Sequence, residues 1–99
     1  VTTIKEIEYL QKTAMLMCSN SYMDRLKAEF LQCYLRSKLL EIEIDCPHRS
    51  YTKKEMSYLN KQLRVMDSYS VILLKRIVAV QPEFTVSTAI QEMEDGSLC

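Results

Sequence analysis

The chain has one glycine and two prolines in 99 residues, and no tryptophan. A lone Gly96 excludes the glycine-rich loops that cradle phosphates in P-loop and dinucleotide-binding proteins. Histidine occurs once, at His48, and no C-x-x-C pair is present, which argues against a structural zinc site. Excess charge of either sign is missing. Thirteen Lys plus Arg balance thirteen Asp plus Glu, so no global field draws the chain to nucleic acid or to an anionic membrane. Uncharged apolar runs such as Val71 to Leu74 fall far short of the ~20 residues of a membrane span, and no signal-peptide pattern appears. No segment alternates with period two for long enough to make a strand. Nothing here asks for a cofactor.

Helical patterning fills the space these absences leave. Met23 to Ile44 contains no proline or glycine and is rich in helix-favouring Leu, Glu, Lys, Arg and Met. Leu26, Phe30, Cys33 and Ser37 follow a 3–4 spacing on one face, and Ala28, Leu31, Leu35, Leu39 and Ile42 follow it on another. A helix with two apolar stripes must be covered from two sides. The expected fold is therefore all-α: a small bundle of three to four helices around a long central one. A first helix over 3–18 opens with a capping-box pattern, Thr3 and Glu6, and carries Ile7, Leu10, Ala14 and Met17 as its apolar stripe. Ser19-Asn20-Ser21 breaks the pattern, and Ser21 with Asp24, a second and weaker capping box, either starts the central helix, 22–45, which is the favoured reading, or sits inside one long bent helix. Pro47 ends that helix by disfavouring helical geometry at Cys46.

Thr52 and Glu55 form the clearest capping box, and Tyr51 with Met56 a hydrophobic staple. A third helix over 53–80 keeps Met56, Leu59, Leu63, Met66, Ser70, Leu73 and Ile77 on one face. Val65, Tyr69 and Ile72 make a second strip. Pro82 stops the helix. Residues 1–82 read as the bundle domain and 83–99 as a tail or linker, with a short amphipathic helix through Val86, Ala89, Ile90 and Met93 that folds only when docked.

Candidate chemistry is thin. Cys46 and His48 invite a nucleophile–base idea, but no third group or oxyanion donor can be located, and a loop histidine capping a helix end is the simpler reading. Glu41, Glu43 and Asp45 are two apart, so they do not face one another on a helix. They also oppose the helix dipole, which points to a basic neighbour such as Arg49 or another chain. Arg36 reads as a snorkelling side chain, or as one half of an interfacial ion pair. Lys53, Lys54, Lys61, Arg64, Lys75 and Arg76 read as a solvated face. Six tyrosines and six methionines suit either a core or a protein interface. Cys18, Cys33, Cys46 and Cys99 mostly lie in or beside helical stretches, and are expected to be reduced thiols of an intracellular protein.

Met23-Asp24-Arg25-Leu26-Lys27, followed by Tyr34-Leu35-Arg36-Ser37-Lys38-Leu39 and Ile42-Glu43, resembles the central helix of GINS complex subunits, nearest to the Sld-five subunit. Pro47-His48 and Thr52-x-x-Glu55 fall where that family leaves this helix and opens the next, and Pro82 where the next one ends. The resemblance covers about Met23 to Pro82. Lys38 replaces the usual arginine, Glu41 stands where a basic residue is common, and nothing after Pro82 reads as the family's small β-rich domain. The related Psf-one subunit therefore stays open.

The resemblance implies a non-catalytic scaffold subunit of a nuclear heterotetramer. Its partners would be paralogous helical subunits and the replicative MCM helicase assembly, without sequence-specific nucleic-acid binding of its own. Tyr34, Arg36 and Lys38 match the family segment and are candidate partner contacts. Tyr58 and Tyr69 join them as tyrosines on the third helix. Two other classes compete: a secreted four-helix signalling protein with its cysteines paired in two disulfides, and a homodimeric helical interaction module.

Overall fold

The computed structural model describes residues 3–95, which form four α-helices, and no strand occurs among them. These are α1 (Thr3–Leu16), α2 (Tyr22–Asp45), α3 (Lys53–Val80) and α4 (Val86–Asp95). The long central helix of the sequence reading is α2, packed chiefly between α1 and α3, with α4 closing over α1 and α2. Side-chain features expected at Thr3, Glu6, Met93, Gly96 and Cys99 lie outside the described residues.

Each helix boundary has a local cause. Ser21 sits in extended geometry (φ −83°, ψ 122°), and its hydroxyl accepts from the Asp24 amide at 3.3 Å. The return bond of a full box is replaced by the Ser21 amide donating to Ser19 Oγ at 3.1 Å. At α3 the box is complete: the Glu55 amide donates to Thr52 Oγ1 at 3.1 Å, and the Thr52 amide to Glu55 Oε1 at 3.0 Å. Two amides that the helix start would leave unpaired are thereby satisfied. Thr52→Ala is expected to destabilise the fold by about 1 kcal/mol, read as a lower urea midpoint with an unchanged slope. Both prolines stop helices through the residue before them. Cys46 (φ −139°, ψ 73°) and Gln81 (φ −130°, ψ 80°) have left helical geometry, as the clash with a following proline ring requires.

Both stripes of α2 are used. Leu26 and Phe30 on one face, and Ala28, Leu31 and Leu35 on the other, are buried, and Leu73 and Ile77 meet them from α3. Leu39 is only half-buried and Ile42 is exposed, so the second stripe runs out before the helix does. The α3 stripe behaves likewise: Met56, Leu59, Leu63 and Met66 are half-buried, and Ser70, Leu73 and Ile77 are buried. None of residues 38 to 69 is fully buried. The molecule is thus a four-helix core at one end and a two-helix arm at the other, tipped by the Cys46–Tyr51 corner. That asymmetry accounts for a radius of gyration of 14.6 Å and extents of 42 × 26 × 22 Å, longer than the roughly 13 Å radius of a compact chain of this size.

Two expectations about α1 are corrected. The buried side of α1 is Tyr9 and Thr13 with half-buried Leu10 and Leu16, while Ile7, Ala14 and Met17 face outward. Positions 9, 13 and 16 satisfy helical spacing as well as 7, 10, 14 and 17 do. Tyr9 buries more surface than Ala14, and Thr13 can be buried because its hydroxyl donates to the Tyr9 carbonyl at 2.9 Å. Helix α1 also ends at Leu16 rather than Cys18. The segment set apart as a tail or linker carries α4, whose Ala89 joins the core together with Phe84 ahead of it. Docking supplies what a ten-residue helix lacks alone.

Candidate interaction surface

The candidate contacts on α2 separate into two places. Tyr34 is half-buried and stacks on Phe30, with ring centroids 6.0 Å apart. Lys38 Nζ lies 5.3 Å from the Tyr34 ring and pairs loosely with Glu41 at 3.9 Å. Tyr34 and Lys38 line a groove with Lys5, Tyr9, Leu35, Ile90 and Glu94. At about 440 Å³ the groove falls within the size of small-molecule pockets, yet its charges are already spoken for. Lys5 pairs with Glu94 at 3.6 Å, and the Tyr9 hydroxyl donates to the same carboxylate. That hydrogen bond holds the Glu94 pKa below, and the Tyr9 pKa above, their ordinary values. Arg36 points elsewhere. It is exposed, makes no ion pair among the described residues, and borders a groove with Leu10, Gln32, Leu39, Leu40, Gln62 and Met66.

The buried cation of α2 is Lys27, which sequence reasoning missed. Its Nζ meets Glu92 of α4 at 3.3 Å and lies 5.3 Å from the Phe84 ring. A charged residue inside an apolar helix was the available signal, but its partner lies 65 positions away. A second missed feature is polar. Gln32 Nε2 donates to the Leu10 carbonyl at 2.6 Å and to Thr13 Oγ1 at 2.8 Å, tying α1 to α2.

At the arm tip, Glu43 finds its partners within the corner. Its carboxylate accepts from the Tyr51 hydroxyl at 2.6 Å and from the His48 amide at 3.1 Å, and faces the His48 ring. Arg49, the expected partner for the acidic end of α2, instead pairs with Glu55 at 2.9 Å and stacks 4.2 Å from the Tyr51 ring. The Tyr51 hydroxyl chiefly, then the His48 amide, lowers the Glu43 pKa.

Glu55 is pulled down further, from 4.5 to about 2, first by the Thr52 amide and then by Arg49. Because the folded value is depressed, this stabilisation is present above pH 4.5 and is lost as pH falls from there toward about 2. The thermal midpoint is expected to drop through that window. Glu55→Gln should flatten part of the drop, as read by circular dichroism melts in a pH series.

The remaining candidates, Tyr58 and Tyr69, sit on an exposed face of α3, and Tyr69 borders α2. They are 57% and 42% exposed, and Val65 (68%), Ile72 (55%) and Val80 (67%) share that face at helical spacing. Val65, Tyr69 and Ile72 line a shallow depression with Lys61, Arg64 and Ser68. The Tyr69 hydroxyl donates to Glu29 and the Arg76 guanidinium to the Tyr22 hydroxyl, both from α2. Lys61 Nζ lies 5.9 Å from the Tyr58 ring. The strip Val65, Tyr69, Ile72 was legible in the sequence, but its exposure was not.

Among the described residues, no helix is long and apolar enough to cross a membrane, and Cys18, Cys33 and Cys46 are free thiols. No protein-family model matches the chain, and no curated protein or solved structure is found to be similar to it.

Proposed function

We propose that this chain is a non-catalytic scaffold subunit that works by presenting helix faces to other helical chains. The observation that carries this reading is the apolar stripe of α3, which stays exposed beside the face that packs on α2. Scattered exposed apolar residues are ordinary, whereas several on one helical line are the mark of a binding face. The resemblance of Met23 to Pro82 to GINS subunits supports a finer version: a member of a heterotetramer of paralogous helical subunits, serving the replicative helicase in the nucleus. The three free thiols favour this over a two-disulfide signalling protein.

The test is to purify the tagged chain, under reducing conditions, from the cells that make it, and to follow it by size-exclusion chromatography with light scattering. The expected result is a stoichiometric complex with three other helical chains. A chain that elutes alone at 11.6 kDa, or as a dimer of itself, overturns the heterotetramer.

A further inference from the structure

We infer that the exposed face of α3 docks an acidic amphipathic helix of another protein: one apolar stripe at 3–4 spacing, bordered by Asp and Glu. This rests on the scaffold reading and names the chemistry of one partner. Tyr58 to Val80 spans about 33 Å at 1.5 Å per residue, the length of a helix laid alongside rather than of a single inserted side chain.

The charges around this stripe select its occupant. Lys54, Lys61, Arg64 and Lys75 are exposed along its border and form no ion pair among the described residues. Arg76 lies within the stripe and is held by a neutral hydroxyl, that of Tyr22. The two acids of α3 lie off this face. Glu55 is committed to the cap and Arg49, and Asp67 borders a different depression with Lys38 and Glu41. Glu29, bonded to Tyr69 from α2, is a carboxylate at the stripe's edge whose charge that hydroxyl already engages. A partner with acidic flanks gains charge complementarity along most of the contact.

A second copy of this chain does not. Setting Val65 against Ile72 in antiparallel pairing places Lys61 opposite Arg76, and parallel pairing sets each cation against its own equivalent. Like charges across an interface oppose association. A lipid surface is also a poor fit, since helices that lie in membranes carry Trp, Phe or Leu on the apolar side. This stripe offers Val, Ile and Tyr.

The experiment uses the full chain and two labelled designed helical peptides of about 21 residues, long enough to span most of the stripe. They share one Leu/Ile stripe, and one has Glu flanks while the other has Lys flanks. Fluorescence anisotropy is expected to show the Glu-flanked peptide binding at least ~10-fold more tightly, with affinity falling as salt is added. Lys61→Glu/Arg64→Glu/Lys75→Glu should reverse that preference. Val65→Asp/Ile72→Asp should abolish binding of both peptides, with circular dichroism confirming that each variant is folded.

Equal binding of the two peptides, a preference that survives charge reversal, or no saturation by the Glu-flanked peptide below about 0.1 mM overturns the inference. So does tighter binding to phosphatidylcholine–phosphatidylserine vesicles than to the peptide. A stoichiometric heterotetramer from cells together with peptide indifference would leave the scaffold standing and remove this surface. A lone chain that still selects the Glu-flanked peptide would do the reverse.

Discussion

Phe30→Ala is expected to lower the unfolding free energy by about 3–5 kcal/mol, the usual range for deleting a buried phenylalanine. Phe30 is 2% exposed, and its ring joins α2 to the segment that leads into α4. It stacks on Tyr34 and meets Phe84 edge-on, with centroids 6.2 Å apart, while Leu73 and Ile77 of α3 complete the same cluster. Aromatic pairs add about 0.5–1.5 kcal/mol beyond area burial, and alanine removes both. A domain of this size has a total stability of roughly 5–15 kcal/mol, so the variant should be largely unfolded at modest urea concentrations. Phe30→Leu, which keeps most of the volume, should retain the greater part of the stability. An unchanged urea midpoint for Phe30→Ala would mean that α4 and its lead-in are not seated on α2.

The second large effect concerns Lys27 and Glu92, and its sign depends on which partner is removed. The Lys27 side chain is 10% exposed and that of Glu92 22%. Glu92→Ala leaves an ammonium inside the bundle with only the Phe84 ring for company, and is expected to destabilise by about 3 kcal/mol, the low end for breaking a buried pair. Lys27→Met leaves a carboxylate that can turn to water and adds apolar surface, so it should be close to neutral. The double substitution should recover most of what Glu92→Ala loses. Denaturant titration of the four proteins in a double-mutant cycle measures this directly. Equal losses for both single variants would mean that the pair is solvated and that α4 is held by Phe84 and Ala89 alone.

The contrast between what the sequence disclosed and what it hid follows the range of the interactions. Thr52 with Glu55, Pro47 and Pro82 act within a few residues, so the ends of α2 and α3 were readable to the residue. The two stripes of α2 were readable for the same reason, because periodicity needs no knowledge of the neighbour. Choosing between Ile7–Met17 and Tyr9–Leu16 did require the neighbour. Gln32 on α2 and Glu94 on α4 make Tyr9 and Thr13 the inward pair, and neither partner is visible from α1. The same holds for Lys27, for the docking of α4, and for the exposure of the Val65–Ile72 strip. Tyr34 and Arg36 show the limit from the site's side. Adjacent in a motif, they face different grooves, because residues two apart on a helix do not share a face.

The arm formed by residues 38 to 69 has a kinetic consequence. Its amides are held by hydrogen bonds within two helices whose apolar residues are only half covered, so it should open without the rest of the bundle unfolding. Native-state hydrogen exchange should then fall into two classes: slow amides around Phe30, Leu31, Leu73 and Ile77, limited by global unfolding, and faster ones around Leu40 and Leu59, limited by release of the arm. The stripe on α3 crosses the boundary between these classes, with Tyr58 and Val65 on the arm and Val80 on the core side. A helix bound along it would splice the two cooperative units into one, and the fast class would slow toward the other.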